Sequence, residues 1–249
     1  MNLSSWVRSG FIKMPSSIEQ INRNRTLFRN LGYGNRAIGL PGVDGAIDCT
    51  HVRLTHCRLT NIEEVYRNRK GYFSLNVQAI VGLQMEFLDI VPEWPGSQHD
   101  SRIFQNSRIY MRYIRRELTG ILVGDSDYSC LPFLLTPVQN PITDEQLAYN
   151  NIHVRTRQIV KRTFGMWKRR FPCLARGLTT KLICCTTIIV AVLHNLSLTY
   201  DYILPEDDED DNIFSDNDND NEENHANYPE WQPADGFVMR DTLIERLFN

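Results

Sequence analysis

Two stretches decide how this chain is read: Val43-Asp44-Gly45-Ala46-Ile47-Asp48-Cys49-Thr50-His51 and Ile121-Leu122-Val123-Gly124-Asp125-Ser126. Each is a short apolar run that delivers an aspartate, as a buried strand ending in a carboxylate would. Singly, each is ordinary, because most aspartates after a glycine only cap a turn. Their order gives them weight: one falls on the first predicted strand, the other on the fourth, and a long helix follows. Carboxylates brought side by side repel, and a bound cation offsets that repulsion. Two carboxylates at strand ends can hold a pair of hard divalent cations, the arrangement of metal-dependent phosphodiester cleavage.

Working outward, Phe11-Ile12-Lys13-Met14-Pro15 reads as an extended entry and Ser16/Ser17 to Gly32 as a helix with a capping serine. Strands are expected at Gly45–Leu54, at Phe73–Val81, where Leu75, Val77 and Ala79 alternate with polar neighbours, and at Glu86–Val91. A helix at Asp100–Asn106 precedes strands at Gly120–Gly124 and Phe133–Thr136. Thr143 and Gln146 stand in capping-box positions at the head of a long helix running toward Phe171. A second, apolar helix covers Thr180–Tyr200. Three strands, a helix, two strands and a long helix predict an α/β domain with a mixed sheet and helices on its faces.

At 249 residues and 42% hydrophobic content the chain can bury one sizeable core. The reading is a 1–40 remnant with one helix, a main domain over 41–200, an acidic segment at 205–227 disordered by composition, and a short C-terminal helix at 237–248. Residues 1–14 do not read as a signal peptide. The longest apolar segment, Leu182–Leu193, is too short to span a bilayer, so no membrane partner is expected. The six cysteines lack CxxC spacing and sit in apolar runs, as reduced buried thiols do. Net charge is −3, but eleven acidic residues and no basic ones lie between Glu206 and Glu223. Setting those eleven aside leaves 27 basic against 19 acidic residues, a body of about +8. A basic body with an acidic run fits a domain that faces nucleic acid, and fits equally a solvated surface beside a linker.

Further blocks make the pattern specific: Pro41-Gly42-Val43, Tyr66-Arg67-Asn68-Arg69-Lys70-Gly71-Tyr72, Trp94-Pro95-Gly96-Ser97-Gln98-His99-Asp100-Ser101, Gly124-Asp125-Ser126-Asp127-Tyr128, Leu135-Thr136-Pro137, Tyr149-Asn150 with His153 and Arg157, Arg162-Thr163-Phe164-Gly165 with Lys168 and Arg170-Phe171, and Leu193-His194-Asn195. In this order they resemble the PIF/Harbinger transposases and the nucleases derived from them. That resemblance implies a ribonuclease H-like fold with an Asp-Asp-Glu triad, a divalent metal cofactor (Mg2+ or Mn2+), DNA as partner and a nuclear location that can extend to the cytoplasm. It also implies a protein partner supplying sequence-specific DNA binding or nuclear import.

The family's triad falls on Asp48, Asp125 and Lys161, with 35 residues between the last two. Lysine thus stands where the family has glutamate, and an ammonium ligates no metal. Asp127 stands where a small residue is common, and the family's N-terminal helical region is nearly absent. Asp100 and Asp127 are the alternates for a third ligand. Phosphate contacts are expected from Arg67, Arg69 and Lys70 in the aromatic-flanked loop and from Arg157, Arg162 and Lys168 on the long helix. Two readings therefore stand open: a metal-dependent DNA endonuclease, or a catalytically inactive relative that keeps a DNA- or protein-binding surface.

Overall fold

The computed structural model describes residues 10–31, 39–55, 63–179, 182–200 and 234–248. The acidic segment expected at 205–227 lies outside them. Five strands, β1 (Val43–Arg53), β2 (Ser74–Val81), β3 (Phe87–Pro95), β4 (Ile121–Val123) and β5 (Leu134–Leu135), form one sheet in the order β3-β2-β1-β4-β5. The first three are antiparallel, while β4 and β5 run parallel to β1 and to each other. This is the mixed sheet of a ribonuclease H-like α/β domain.

Helices cover both faces, which is why every residue of β2 is buried. Along β1, Ala46, Asp48, Thr50 and Val52 alternate onto one face, and Ile47, Cys49, His51 and Arg53 onto the other. The first face packs against α4 (Asp144–Arg170), α6 (Ile183–Thr199) and α7 (Ala234–Phe248), through Val160, Phe164, Trp167, Ala191 and Ile244. The second packs against α2 (Asp100–Gln105) and α3 (Arg108–Ile114), through Phe104, Ile109 and Tyr113. Before the sheet comes α1 (Ile18–Arg29), whose Ser17 capping box closes its first turn, and α5 (Cys173–Arg176) links α4 to α6. The Thr143 capping box is formed as expected.

The sequence reading lacked α3 and the short turn α5, and it ended β3 at Val91 rather than Pro95. It also began the last helix at 237, where the structure starts α7 at Ala234. Among the described residues no helix is long and apolar enough to cross a membrane.

Two contacts fix the β2–β3 hairpin to the helices. His194 Nε2 meets the carbonyl of Met85, whose φ of 63° places it in the left-handed region, at 2.9 Å. Asn195 grips Phe87 with both ends of its amide: Oδ1 accepts from the Phe87 N–H at 2.8 Å, and Nδ2 donates to the Phe87 carbonyl at 2.9 Å.

Candidate active site

The parallel register pairs Ala46 with Val123, so two residues further along each strand Asp48 and Asp125 stand level. Asp48 faces the α4 side by the alternation of β1. Asp125 follows Gly124, where a Cβ would press on Tyr128, Ile47 and Leu134. On α4, His153, Arg157 and Lys161 succeed one another at four-residue intervals, so they share one stripe of the helix.

Arg157 is the residue that reaches the carboxylates. Its Nη2 donates to Asp125 Oδ2 at 2.7 Å and lies 3.4 Å from Asp48 Oδ2. The remaining oxygens accept backbone donors: Asp48 Oδ1 from Cys49 N–H at 2.9 Å, and Asp125 Oδ1 from Asp127 N–H at 3.0 Å. Lys161, one turn further, is exposed and acts on Asp48 through its field. One turn before Arg157, His153 is buried with Nε2 3.2 Å from the Leu135 carbonyl, and burial pushes its imidazole down to about 4.

Burial pushes Asp48 above the usual carboxylate range; Arg157 pulls it back, and Asp100 repels it. Asp125 is raised likewise by burial and by Asp48. Burial disfavours the Arg157 cation as well, yet its two aspartates outweigh that and raise it. The guanidinium favours the charged carboxylates, but burial outweighs it, and both acids are easier to protonate than usual.

Asp100 sits on the other side of β1. It accepts from Asn76 Nδ2 at 3.0 Å, and Asn76 belongs to the β2 face that carries Gln78 and Ile80. Burial first, then Asp125, pushes its carboxyl up to about 7. Asp127 is half-buried, its carbonyl accepting from Ser101 Oγ at 2.7 Å.

The phosphate-contact candidates divide. Arg162 is exposed, and with exposed Arg155 and Arg169 it makes a stripe at seven-residue intervals, spanning about 21 Å of helix. Lys168 is not on that stripe: it is 3% exposed. Arg157 is turned into the carboxylate pair. In the loop, Arg67 forks onto Glu64 at 2.9 and 3.0 Å and covers the Phe73 ring, Arg69 Nη2 meets His99 Nδ1 at 2.7 Å, and Lys70 is exposed.

Sequence reasoning gave Arg157 a different role and missed Asp44. Arg157 is expected from sequence to contact phosphate, yet its guanidinium turns to the carboxylate pair, on the helix stripe it shares with His153 and Lys161. Asp44, four residues before Asp48, is a buried structural carboxylate held by Arg25 at 2.8 Å, Tyr113 at 3.0 Å and the Gly120 N–H at 3.1 Å.

These residues do not fit a divalent ion. The guanidinium stands where the two carboxylates converge, the next turn of α4 offers an ammonium instead of a third acid, and no group of three metal-ligating side chains occurs among the described residues. An ion bound by the pair would have to share it with the Arg157 cation.

Comparison with known proteins supplies the context for this geometry. The DDE superfamily endonuclease family matches residues 47–196. The chain is 30% identical over 205 residues to "Putative nuclease HARBI1" of Homo sapiens, covering 77% of this chain and 54% of that protein. It is 35% identical over 173 residues to the Mus musculus protein of the same name, covering 65% and 48%. It is also 29% identical over 175 residues to "Protein ALP1-like" of Arabidopsis thaliana, covering 64% and 41%. The chain thus spans about half the length of the relatives it matches. No solved structure matches it. The DDE family generally uses divalent metal, and a nuclease family has nucleic acid as its substrate. By fold and by sequence, the chain belongs to the DDE superfamily endonucleases, in their Harbinger-derived branch.

Proposed function

We propose that this protein is a DDE domain that binds duplex DNA without cutting it. The observation that carries the reading is Lys161: on the turn of α4 after Arg157, whose guanidinium lies between Asp48 and Asp125, the helix presents an exposed ammonium instead of a third acid. Cleavage needs oxygen ligands that fix metal ions at the scissile phosphate, and positioning errors near 1 Å cost about 10²-fold in rate. An ammonium in place of the third ligand is a larger defect than that. No Mg2+- or Mn2+-dependent step is therefore assigned to the protein.

What remains suited to DNA is charge. The stripe Arg155–Arg162–Arg169 runs along α4, beside a body of about +8 outside the acidic run. Phosphate contacts of this kind give affinity without sequence preference. Sequence preference would then come from a protein partner, and the work would take place in the nucleus, where duplex DNA is found.

The test pairs two assays. Supercoiled plasmid incubated with the protein and Mg2+ or Mn2+ should stay intact. Filter binding to duplex DNA should weaken roughly 40-fold between 50 and 200 mM salt if three phosphates are contacted. Cleavage abolished by Asp48→Ala or Asp125→Ala would overturn the non-cutting reading, and salt-independent retention would overturn the DNA-binding one.

A further inference from the structure

α6 contains no charged residue. One face joins the core through Thr187, Val190, Ala191 and His194. A surface helix ordinarily carries polar residues opposite such a face. Opposite this one stand Leu182, Thr186, Ile189, Leu193, Leu196 and Tyr200, at intervals of three and four residues. They therefore line one stripe of the helix, about 27 Å long. Leu182, Ile189, Leu193 and Tyr200 are exposed, Tyr200 by 79%. A contiguous apolar stripe on the surface marks a place where another molecule docks, which scattered single residues do not.

The charges at its rim say what that molecule is. Cys184 and Asn195, toward the two ends of α6, both turn to β3: the thiol donates to the Pro92 carbonyl at 3.2 Å, and the amide holds Phe87. Exposed Glu93 follows Pro92, and burial together with the field of Glu93 raises the Cys184 thiol. At the other end Asn195 Nδ2 also donates to the Phe11 carbonyl at 2.8 Å, with exposed Lys13 two residues on. One flank of the stripe thus carries an acid near the head of the helix and a base near its tail. A two-fold axis crossing the stripe between Ile189 and Leu193 reverses the helix and keeps the flank on the same side. Each Glu93 then meets the other copy's Lys13, and the two helix dipoles oppose each other. Complementarity of a patch to itself is what an isologous dimer requires.

We propose that the outer stripe of α6 is the interface between two copies of this chain, packed antiparallel about a two-fold axis, with Glu93 and Lys13 paired across its rim. The apolar centre supplies affinity, and the rim charges fix the direction of packing. One helix against one helix is a small contact, below about 1,200 Å2, so the dimer forms and parts reversibly in the micromolar range.

The experiment is sedimentation of the full chain over a concentration series without DNA, so its outcome is independent of the DNA-binding reading. The native protein should pass from one chain to two as concentration rises. Ile189→Asp with Leu193→Asp should weaken the dimer more than about 100-fold, because it buries four carboxylates at the centre. Glu93→Lys alone and Lys13→Glu alone should each weaken it, and the two together should restore it. If the aspartate variant fails to fold, the charge-swap series decides by itself, since both of its residues are exposed. A chain that stays single at every concentration overturns the proposal, whether or not it then floats with lipid vesicles or takes up a different protein. So does a dimer indifferent to the aspartate pair, or one that the double swap leaves as weak as either single change.

Discussion

Asp44 and Asp48 lie four residues apart on one strand, yet they have different fates. Asp44 satisfies both oxygens with Arg25, Tyr113 and the Gly120 amide, and serves as a joint between α1, β1 and α3. Asp48 shares its one cation with Asp125 and keeps a raised proton affinity. Nothing in the local sequence separates the two: a register shift between Val43 and Gly45 breaks the alternation of the strand, and Asp44 meets α1 and α3 while Asp48 meets α4. Asp100 gives the clearest prediction at this scale. Its folded value of about 7 lies above the ordinary 3.8, so the folded state holds that proton more tightly than the unfolded chain. The stability is fully present below 3.8 and is lost as pH rises through about 7. Asp100→Asn carries no such loss. Its melting temperature relative to the native protein should therefore climb between about pH 5 and about pH 8, as thermal denaturation across that range will show.

At the level of elements, legibility followed pattern length. The capping box at Thr143 and the alternation of β2 announced α4 and the sheet, because each is a local rule repeated over many residues. α3 escaped because seven residues with two buried positions, Ile109 and Tyr113, carry too little periodicity to read. The two strand-end aspartates were legible as a pair, but their partner was not. Identifying Arg157 requires the rotational phase of α4 against the sheet, and only packing sets that phase. The same phase buries Lys168, which a count of basic residues had placed outside. Trp167 anchors it: the indole is fully buried, and Phe87 meets it edge-on with centroids 5.0 Å apart. Trp167→Ala should cost about 3–5 kcal/mol, a fall of roughly 10 °C in melting temperature, measurable by denaturant titration and calorimetry.

For the whole molecule, charge is divided along the chain rather than averaged. Eleven acidic residues in Glu206–Glu223 set a net −3 on a body of about +8. Deleting Glu206–Glu223 should tighten non-specific DNA binding and steepen its dependence on salt, and the same filter-binding assay measures both. Unchanged affinity after the deletion would mean that the basic body does not govern binding.

The grip of Asn195 on Phe87 has a consequence for how copies of this protein meet one another. β3 is an outer strand of the sheet, and an outer strand offers a row of unmet N–H and carbonyl groups to any other chain with a strand to add. Here the row is interrupted at three places, Phe87, Pro92 and Pro95. Phe87 spends both of its groups on the asparagine amide, Pro92 and Pro95 have no N–H to give, and the Pro92 carbonyl accepts from the Cys184 thiol at 3.2 Å. At the opposite rim β5 is only two residues long. Among the described residues neither rim offers a long template on which a neighbour could extend the sheet, so copies lined up on duplex DNA, as the proposed function has them, would gather there without zipping to their own kind.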